Sequence, residues 1–308
     1  MPSRNRVLTS DSGLNYARAS YQMQFGKVRA GVAYSQLRYT LGREFEPLQA
    51  HGTVDIASIF ASYPLLRSRN TSVYAQLAFD AKTFQDKVDV IPAVTDKKVH
   101  VVMASLYGDH RDNFGGGGVS SFSLTEAIGE LNIQTPLVRA FDAETARSNG
   151  HYSKLSLNAA RLQNLSPSWS LYAAFYGQLA SKNLDISEKM ELGGMNGVRA
   201  YPEGEAYGDE GYVLNLEARL QLPKPTPRMA GQWQLIGFVD TGSVSANKTP
   251  WADGQNRRNL SAIGLGINWS DPNNFMLRAY YAQKLGSGTA TSAPDASGRF
   301  WIQVVKYF

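Results

Sequence analysis

Residues 212–222 read Tyr212-Val213-Leu214-Asn215-Leu216-Glu217-Ala218-Arg219-Leu220-Gln221-Leu222. Tyr212, Leu214, Leu216, Ala218, Leu220 and Leu222 alternate with Val213, Asn215, Glu217, Arg219 and Gln221, so one face is apolar and the other nearly all polar. Side chains of a strand point alternately to opposite faces, whereas an amphipathic helix repeats every 3.6 residues. A strand with this pattern suits a wall between lipid and a wet interior.

Working outward, the same alternation sets Val73, Ala75, Leu77 and Phe79 against Gln76, Asp80 and Lys82, and Trp169, Leu171, Ala173 and Phe175 against Ser170 and Gln178. Applied throughout, it predicts strands at 12–24, 27–40, 51–63, 71–84, 97–109, 117–133, 151–162, 168–181, 211–222, 232–243, 260–269, 274–285 and 299–308, about thirteen in all. Several exceed the usual length of globular strands and fit a tilted membrane crossing. Their connections alternate: turns near 25–26, 64–70, 110–116, 163–167, 223–231 and 270–273 separate mostly longer loops at 41–50, 85–96, 134–150, 182–210, 244–259 and 286–298. Outer-membrane barrels have short periplasmic turns and long extracellular loops, which puts Phe308 on the periplasmic side. Bacterial single-chain barrels are even-numbered, so an odd count implies at least one earlier strand.

Phe300, Ile302, Val304 and Phe308 share one face of the last strand, an ending expected to act as a barrel-insertion signal. The segment Met1-Pro2-Ser3-Arg4-Asn5-Arg6 has neither an apolar run nor a small-residue cleavage site, so an exported chain starting there is expected to be mature or truncated.

Composition agrees with an all-β membrane wall: 43% hydrophobic, 19% charged, with 16 Tyr, 13 Phe, 5 Trp and 28 Gly. No apolar run approaches the roughly 20 residues of a membrane-spanning helix. The net charge of +5 is dispersed and offers no nucleic-acid footprint. Cysteine is absent, and His51, His100, His110 and His151 form no i, i+4 pair, so no metal site or cofactor is expected. Neither a G-x-S-x-G elbow nor a Walker-type phosphate loop occurs, so catalysis has no motif behind it. A barrel phospholipase whose Ser and His meet across strands would leave no local motif and stays open.

The longest loop carries Glu191-Leu-Gly-Gly-Met-Asn-Gly-Val198-Arg199-Ala200-Tyr201-Pro202, and the strand after next carries Phe238-Val239-Asp240-Thr241-Gly242. Together they resemble the sixth-loop motif, Val-Arg-Gly-Tyr or Val-Arg-Gly-Phe, and the aromatic-x-Asp-x-Gly strand motif of two-partner secretion transporters. These belong to a superfamily shared with barrel-assembly proteins. The resemblance implies that the loop folds back into the lumen and that Arg199 forms a salt bridge with Asp240. An arginine fork can grip a carboxylate with two parallel hydrogen bonds, fixing orientation as well as charge. Alone, Arg199 would read as a solvated loop residue. Ala200 departs from the family glycine and would be strained if that position needed positive φ. Parity is mixed: Asp240 falls with Gln232 and Gln234, but Ile236 and Phe238 share its face. Glu217 is a secondary lumenal candidate.

The resemblance further implies an antiparallel transmembrane β-barrel of about sixteen strands, with N-terminal strands and periplasmic POTRA domains missing, so that 1–308 is a partial barrel domain. It implies a Gram-negative outer-membrane pore, not an enzyme, that exports a large secreted exoprotein. Its other contacts would be outer-membrane lipid and the barrel-assembly machinery that inserts it. Residues 1–190 contribute to the resemblance only through strand rhythm. Open alternatives are another superfamily task, such as barrel assembly or a fused hydrolase, a passive porin, and a soluble binding protein.

Overall fold

The computed structural model of the protein describes residues 3–11, 13–223, 230–272 and 274–307, with all side chains there except those of 3–11 and 43–45. In chain order the elements are β1 Ser3–Asp11, β2 Leu14–Phe25, β3 Val28–Thr40, β4 Ala50–Arg67, β5 Thr71–Val88, β6 Ala93–Asp112, β7 Gly118–Ile133, α1 Pro136–Glu144, β8 Gly150–Asn164 and β9 Trp169–Ala180. There follow β10 Met190–Glu191, β11 Tyr207–Gly208, β12 Glu210–Gln221, β13 Gln232–Ser245, β14 Arg257–Asp271, β15 Phe275–Lys284 and β16 Gly298–Lys306. Fourteen of these strands pair antiparallel in chain order as one meander, β9 pairing with β12 because β10 and β11 form a small separate ladder in the loop between them.

All thirteen expected strands are present, and β1 is an additional one. Its sequence, Ser-Arg-Asn-Arg-Val-Leu-Thr-Ser-Asp, lacks an apolar stripe, yet it pairs with β2 along its whole length, from Ser3↔Gln22 to Asp11↔Leu14. Backbone pairing can order a polar stretch that hydropathy does not reveal. Phe308 lies outside the described residues.

A second difference concerns 85–96, expected as a long loop. Pairing continues through Phe84↔Lys97 to Val88↔Ala93, leaving only 89–92 as the turn. The neighbouring strand supports this projection, since β4 pairs with β5 as far as Ala50↔Val88 and the Tyr39 hydroxyl donates to Asp86. The expected loop 134–150 contains α1, with Pro136 in its first turn, where a missing N–H costs nothing. Asp142 closes that loop by accepting bonds from Ser148 N, Ser148 Oγ and Asn149 N. No helix among the described residues is long and apolar enough to cross a membrane.

The sheet is curled into a barrel wall, and the longest loop shows it. Glu188 in that loop contacts Lys82 on β5, while the Arg199 carbonyl accepts a bond from Trp301 on β16. These strands are nine ladder steps apart; at about 4.8 Å per step a flat sheet would separate them by roughly 43 Å. The connecting stretch is itself doubled back, with Val198 N bonded to Leu192 O and Gly197 N to Gly194 O. Only a curled sheet lets one folded loop touch both strands. Among the described residues no ladder joins β1 to β16.

Two environments follow. Outward side chains are apolar and exposed, among them Leu77, Leu171, Leu216, Leu235, Leu265, Phe300, Ile302 and Val304. Inward side chains on β12–β15 are buried under the loop. Met190, Leu192, Val198, Ala200 and Tyr201 from the loop pack with Val213, Ile236, Phe238, Leu260, Ala262 and Tyr280 from the wall. The protein therefore has a hydrophobic core inside the curl, where the loop lands.

Candidate functional site

Alternation along β13 puts Ile236, Phe238, Asp240 and Gly242 on the inner face, and the antiparallel register sets Asn215 opposite Asp240 and Glu217 opposite Phe238. The mixed parity at Ile236 and Phe238 has a simple cause: these apolar residues face inward because loop residues cover them.

Arg199 enters this face from the loop and is 3% exposed, while Asp240 is 0% exposed. Its Nε donates to Asp240 Oδ2 at 2.9 Å and its Nη2 to Oδ1 at 2.7 Å, a two-pronged grip. The Arg199 backbone N–H adds a third bond to Asp240 Oδ2, at 3.1 Å. Nη1 donates to Glu217 Oε1 at 2.7 Å, and Glu217 in turn accepts from Arg219 Nε at 2.8 Å. One guanidinium thus meets two carboxylates, with Arg219 balancing the second.

Further groups fix this geometry. The Arg199 guanidinium carbon lies over the Phe238 ring, 3.5 Å from its centroid, so the cation meets the ring face as well as the carboxylates. Asn215 Nδ2 donates to both Asp240 Oδ1 and Gly197 O, at 2.8 Å each, tying wall to loop. Trp301 Nε1 donates to the Arg199 carbonyl at 2.6 Å. Asn215 and Trp301 were not singled out in the sequence, because their roles depend on register and on the curl that brings β16 across.

Val198 and Ala200 are buried in the core beneath the loop, and the Tyr201 hydroxyl donates to Gly288 O at 3.1 Å. Ala200 does not lie in the left-handed region, where the non-glycine members among the described residues are Gln49, Arg147 and Ala206. The position therefore holds alanine without the strain that positive φ would impose. Gly242 is needed for close approach: an added Cβ would sit 2.9 Å from Leu192 Cδ2 and 2.9 Å from Tyr212 O. Phe300, Ile302 and Val304 face outward on β16, away from this network.

Gly264 supports the stacking from behind, since a Cβ there would meet Phe238 Cζ at 2.2 Å and the Tyr281 carbonyl oxygen at 2.3 Å. Gly264→Ala is expected to displace the Phe238 ring from the guanidinium and to destabilise the barrel by about 1–3 kcal/mol, the range for overpacking. Gel mobility of unheated against heated protein checks it. An unchanged unfolding temperature would contradict the proposed crowding.

The loop has two further anchorages. On the opposite side, buried Glu188 receives Lys82 Nζ at 2.6 Å and Lys154 Nζ at 2.9 Å, and Asp185 receives Lys97 Nζ at 3.0 Å. Near β11, Glu205 accepts from Thr291 N and Oγ1 and from Ser292 N and Oγ, and pairs with Arg258 at 2.8 Å. Burial opposes ionisation of Asp185, Glu188 and Glu205. The lysines beside the first two and the hydrogen bonds to Glu205 outweigh it, holding all three carboxyls below the usual range.

A carboxyl depressed in the folded state stabilises that state above its unfolded pKa and ceases to do so as pH falls through the folded value. Docking of the loop should therefore be unchanged from neutrality to about pH 5 and weaken progressively below about pH 4, where free carboxyls protonate. Protease access to 181–209, followed with an acid-active protease, checks this. Release on alkalinisation instead would contradict it.

Among the described residues no group of three or more His, Cys, Asp or Glu is placed to hold a metal. The buried charges pair with one another across the loop–wall junction, an arrangement that positions a loop.

Known proteins share this arrangement of strands. The chain is 26% identical over 307 residues to the heme/hemopexin transporter protein HuxB of Haemophilus influenzae, covering 97% of this chain and 53% of HuxB. It is 27% identical over 241 residues to the outer membrane transporter CdiB of Dickeya dadantii, covering 75% of this chain and 40% of that protein. The chain thus spans about half the length of the HuxB sequences it matches. Among solved structures, CdiB from Escherichia coli superimposes with a TM-score of 0.74 at 16% identity, over 94% of this chain and 52% of CdiB. BamA from Haemophilus ducreyi lacking POTRA domains 1–3 gives 0.64 at 12% identity, over 99% of this chain and 64% of that one. These two share the outer-membrane β-barrel fold. The profile of the haemolysin secretion/activation proteins ShlB/FhaC/HecB matches residues 3–269, and the chain belongs to that family.

Proposed function

We propose that residues 1–308 form a single barrel domain, the outer-membrane pore through which a large secreted partner polypeptide is exported, with the 181–209 loop held inside as a movable plug. The observation that carries this reading is Arg199: it belongs to a loop, yet it is buried against Asp240 and Glu217 on the inner wall. Such a junction can be opened without covalent chemistry, and the pore needs no catalytic group. Transporter names among the relatives support export of a partner protein.

Arg199, positioned by Asp240, Glu217 and Phe238, acts as the latch; Val198, Ala200 and Tyr201 seat the loop, and Gly242 gives it room. The outward apolar row Phe300, Ile302 and Val304 contacts lipid and, with Phe308, forms the signal read by the barrel-assembly machinery. The loop end of the barrel faces outside the cell and the turn end faces the periplasm.

Deleting the gene should abolish appearance in the medium of one large secreted polypeptide of the same cell. Wild-type protein should restore secretion, and Arg199→Ala should restore it only in small part. Secretion that persists without the protein would end the export reading.

A further inference from the structure

The inner surface is divided by charge. On β7 the inward residues Ser121, Ser123 and Thr125 carry no charge, while Ala127, Leu131 and Ile133 farther along are buried in a second apolar cluster with Leu184 of the loop. Inward residues of β9 are Ser170, Tyr172, Ala174 and Tyr176, also uncharged, and Gln178, which is buried and donates to the Glu188 and Asp209 carbonyls. On β8 the inward charge is Lys154, already paired with Glu188. Beside β9 a charged stretch begins: β12–β16 present Glu217, Arg219, Asp240, Arg278 and Arg299 on the inner face, with Glu217 opposite Tyr172 and Arg219 opposite Ser170. The loop is latched to that charged wall and anchored through Glu188 to β5 and β8, and it bounds a cavity of about 670 Å³ that has Ser121, Ser123, Asn158 and Ala160 on the wall side and Lys189, Glu191 and Glu203 on the loop side.

We propose that the uncharged inner wall of β7–β9 is the track that receives the exported polypeptide, as an extended chain recognised through its backbone. This rests on the export reading above. The register makes the surface continuous: Ser123 lies opposite Asn158, Ser121 opposite Ala160, and Ala160 opposite Ala174. The Ser105 and Thr125 hydroxyls bond each other at 2.8 Å at its edge.

Hydroxyl and carboxamide groups each donate and accept, matching the N–H and C=O groups that an unfolded chain leaves unpaired. Small side chains at Ser121, Ser123, Ala160 and Ala174 leave room beside the Tyr172 and Tyr176 rings. Without unpaired charge, the wall does not retain acidic or basic segments, which a passage for a long and varied sequence requires. The charged wall would hold such segments, but the latched loop covers its centre.

The test uses the protein purified from outer membranes, with any cysteine outside this cysteine-free chain removed, in planar lipid bilayers. Single cysteines replace Ser123 or Asn158 on the track, Arg278 on the charged wall, or Leu124 on the lipid side. A bulky cationic methanethiosulfonate reports on the open passage. A disordered Gly/Ser peptide with a lysine-rich end, driven in by voltage, carries one cysteine activated as a thiopyridyl disulfide and reports on the polypeptide path by thiol–disulfide exchange, which releases thiopyridone.

Modification at Ser123→Cys and Asn158→Cys should lower conductance by about half or more, with Leu124→Cys unaffected. The peptide should form its disulfide at the two track positions in preference to Arg278→Cys. A conducting wild-type channel with equal or stronger trapping at Arg278→Cys overturns the track and leaves the pore intact. Absence of conductance in the wild-type protein overturns the pore reading and the track with it.

Discussion

Asp240→Ala is expected to release the 181–209 loop from the inner wall. Asp240 accepts both prongs of the Arg199 fork, the Arg199 backbone N–H and Asn215 Nδ2. Its removal leaves a nearly buried guanidinium with Glu217 alone, and Glu217 is already shared with Arg219. Breaking a buried pair from one side costs about 3–5 kcal/mol, chiefly because the remaining charge is left uncompensated. The surviving Glu217 contact argues for about 3 kcal/mol, a shift of roughly a hundredfold in the docked fraction.

Protease cleavage within the loop and noisy, raised resting conductance should both appear. Arg199→Lys should give an intermediate effect, because an ammonium keeps the charge and loses the fork and the stack on Phe238. Loop protection in Asp240→Ala equal to that of the natural protein would show that the apolar contacts of Val198 and Tyr201 alone hold the loop.

Glu188→Ala should have the second-largest effect, on the other limb. It removes the carboxylate on which Lys82 and Lys154 converge from β5 and β8, stranding Lys82 and leaving Lys154 its bond to the residue 188 carbonyl. Both lysines have flexible stems and border the wet interior, so they can swing into water, and the expected cost is about 1–3 kcal/mol. Its combination with Asp240→Ala is informative. Effects of distant sites on one opening add to within about 0.5 kcal/mol. Additive loss of protease protection would mean that the loop leaves the wall as one body. A double variant no worse than Asp240→Ala at cleavage sites beside Arg199 would mean that the loop undocks limb by limb.

Much of this was legible without coordinates. The strand meander was legible because outward side chains on a membrane wall must be apolar while inward ones need not be, giving a period of 2 at 73–79, 169–175 and 212–222. Arg199 and Asp240 were legible as a motif pair, each in a short pattern at a fixed place in the strand order. β1 escaped because Ser3–Asp11 has no apolar stripe, and the β5–β6 projection because pairing outlasts amphipathicity.

The sequence by itself determined the strands, most of their order and spacing, and the identity of the central pair. Tertiary structure decided what the loop does with them: the inner core under it, the lysine anchorage on the far side, the Trp301 bond from β16 and the division of the interior into charged and uncharged walls. The reason is physical. Local periodicity records which side of a strand meets lipid, but inward positions are selected by whatever crosses the lumen, and that is set by curling and register among strands far apart in the chain.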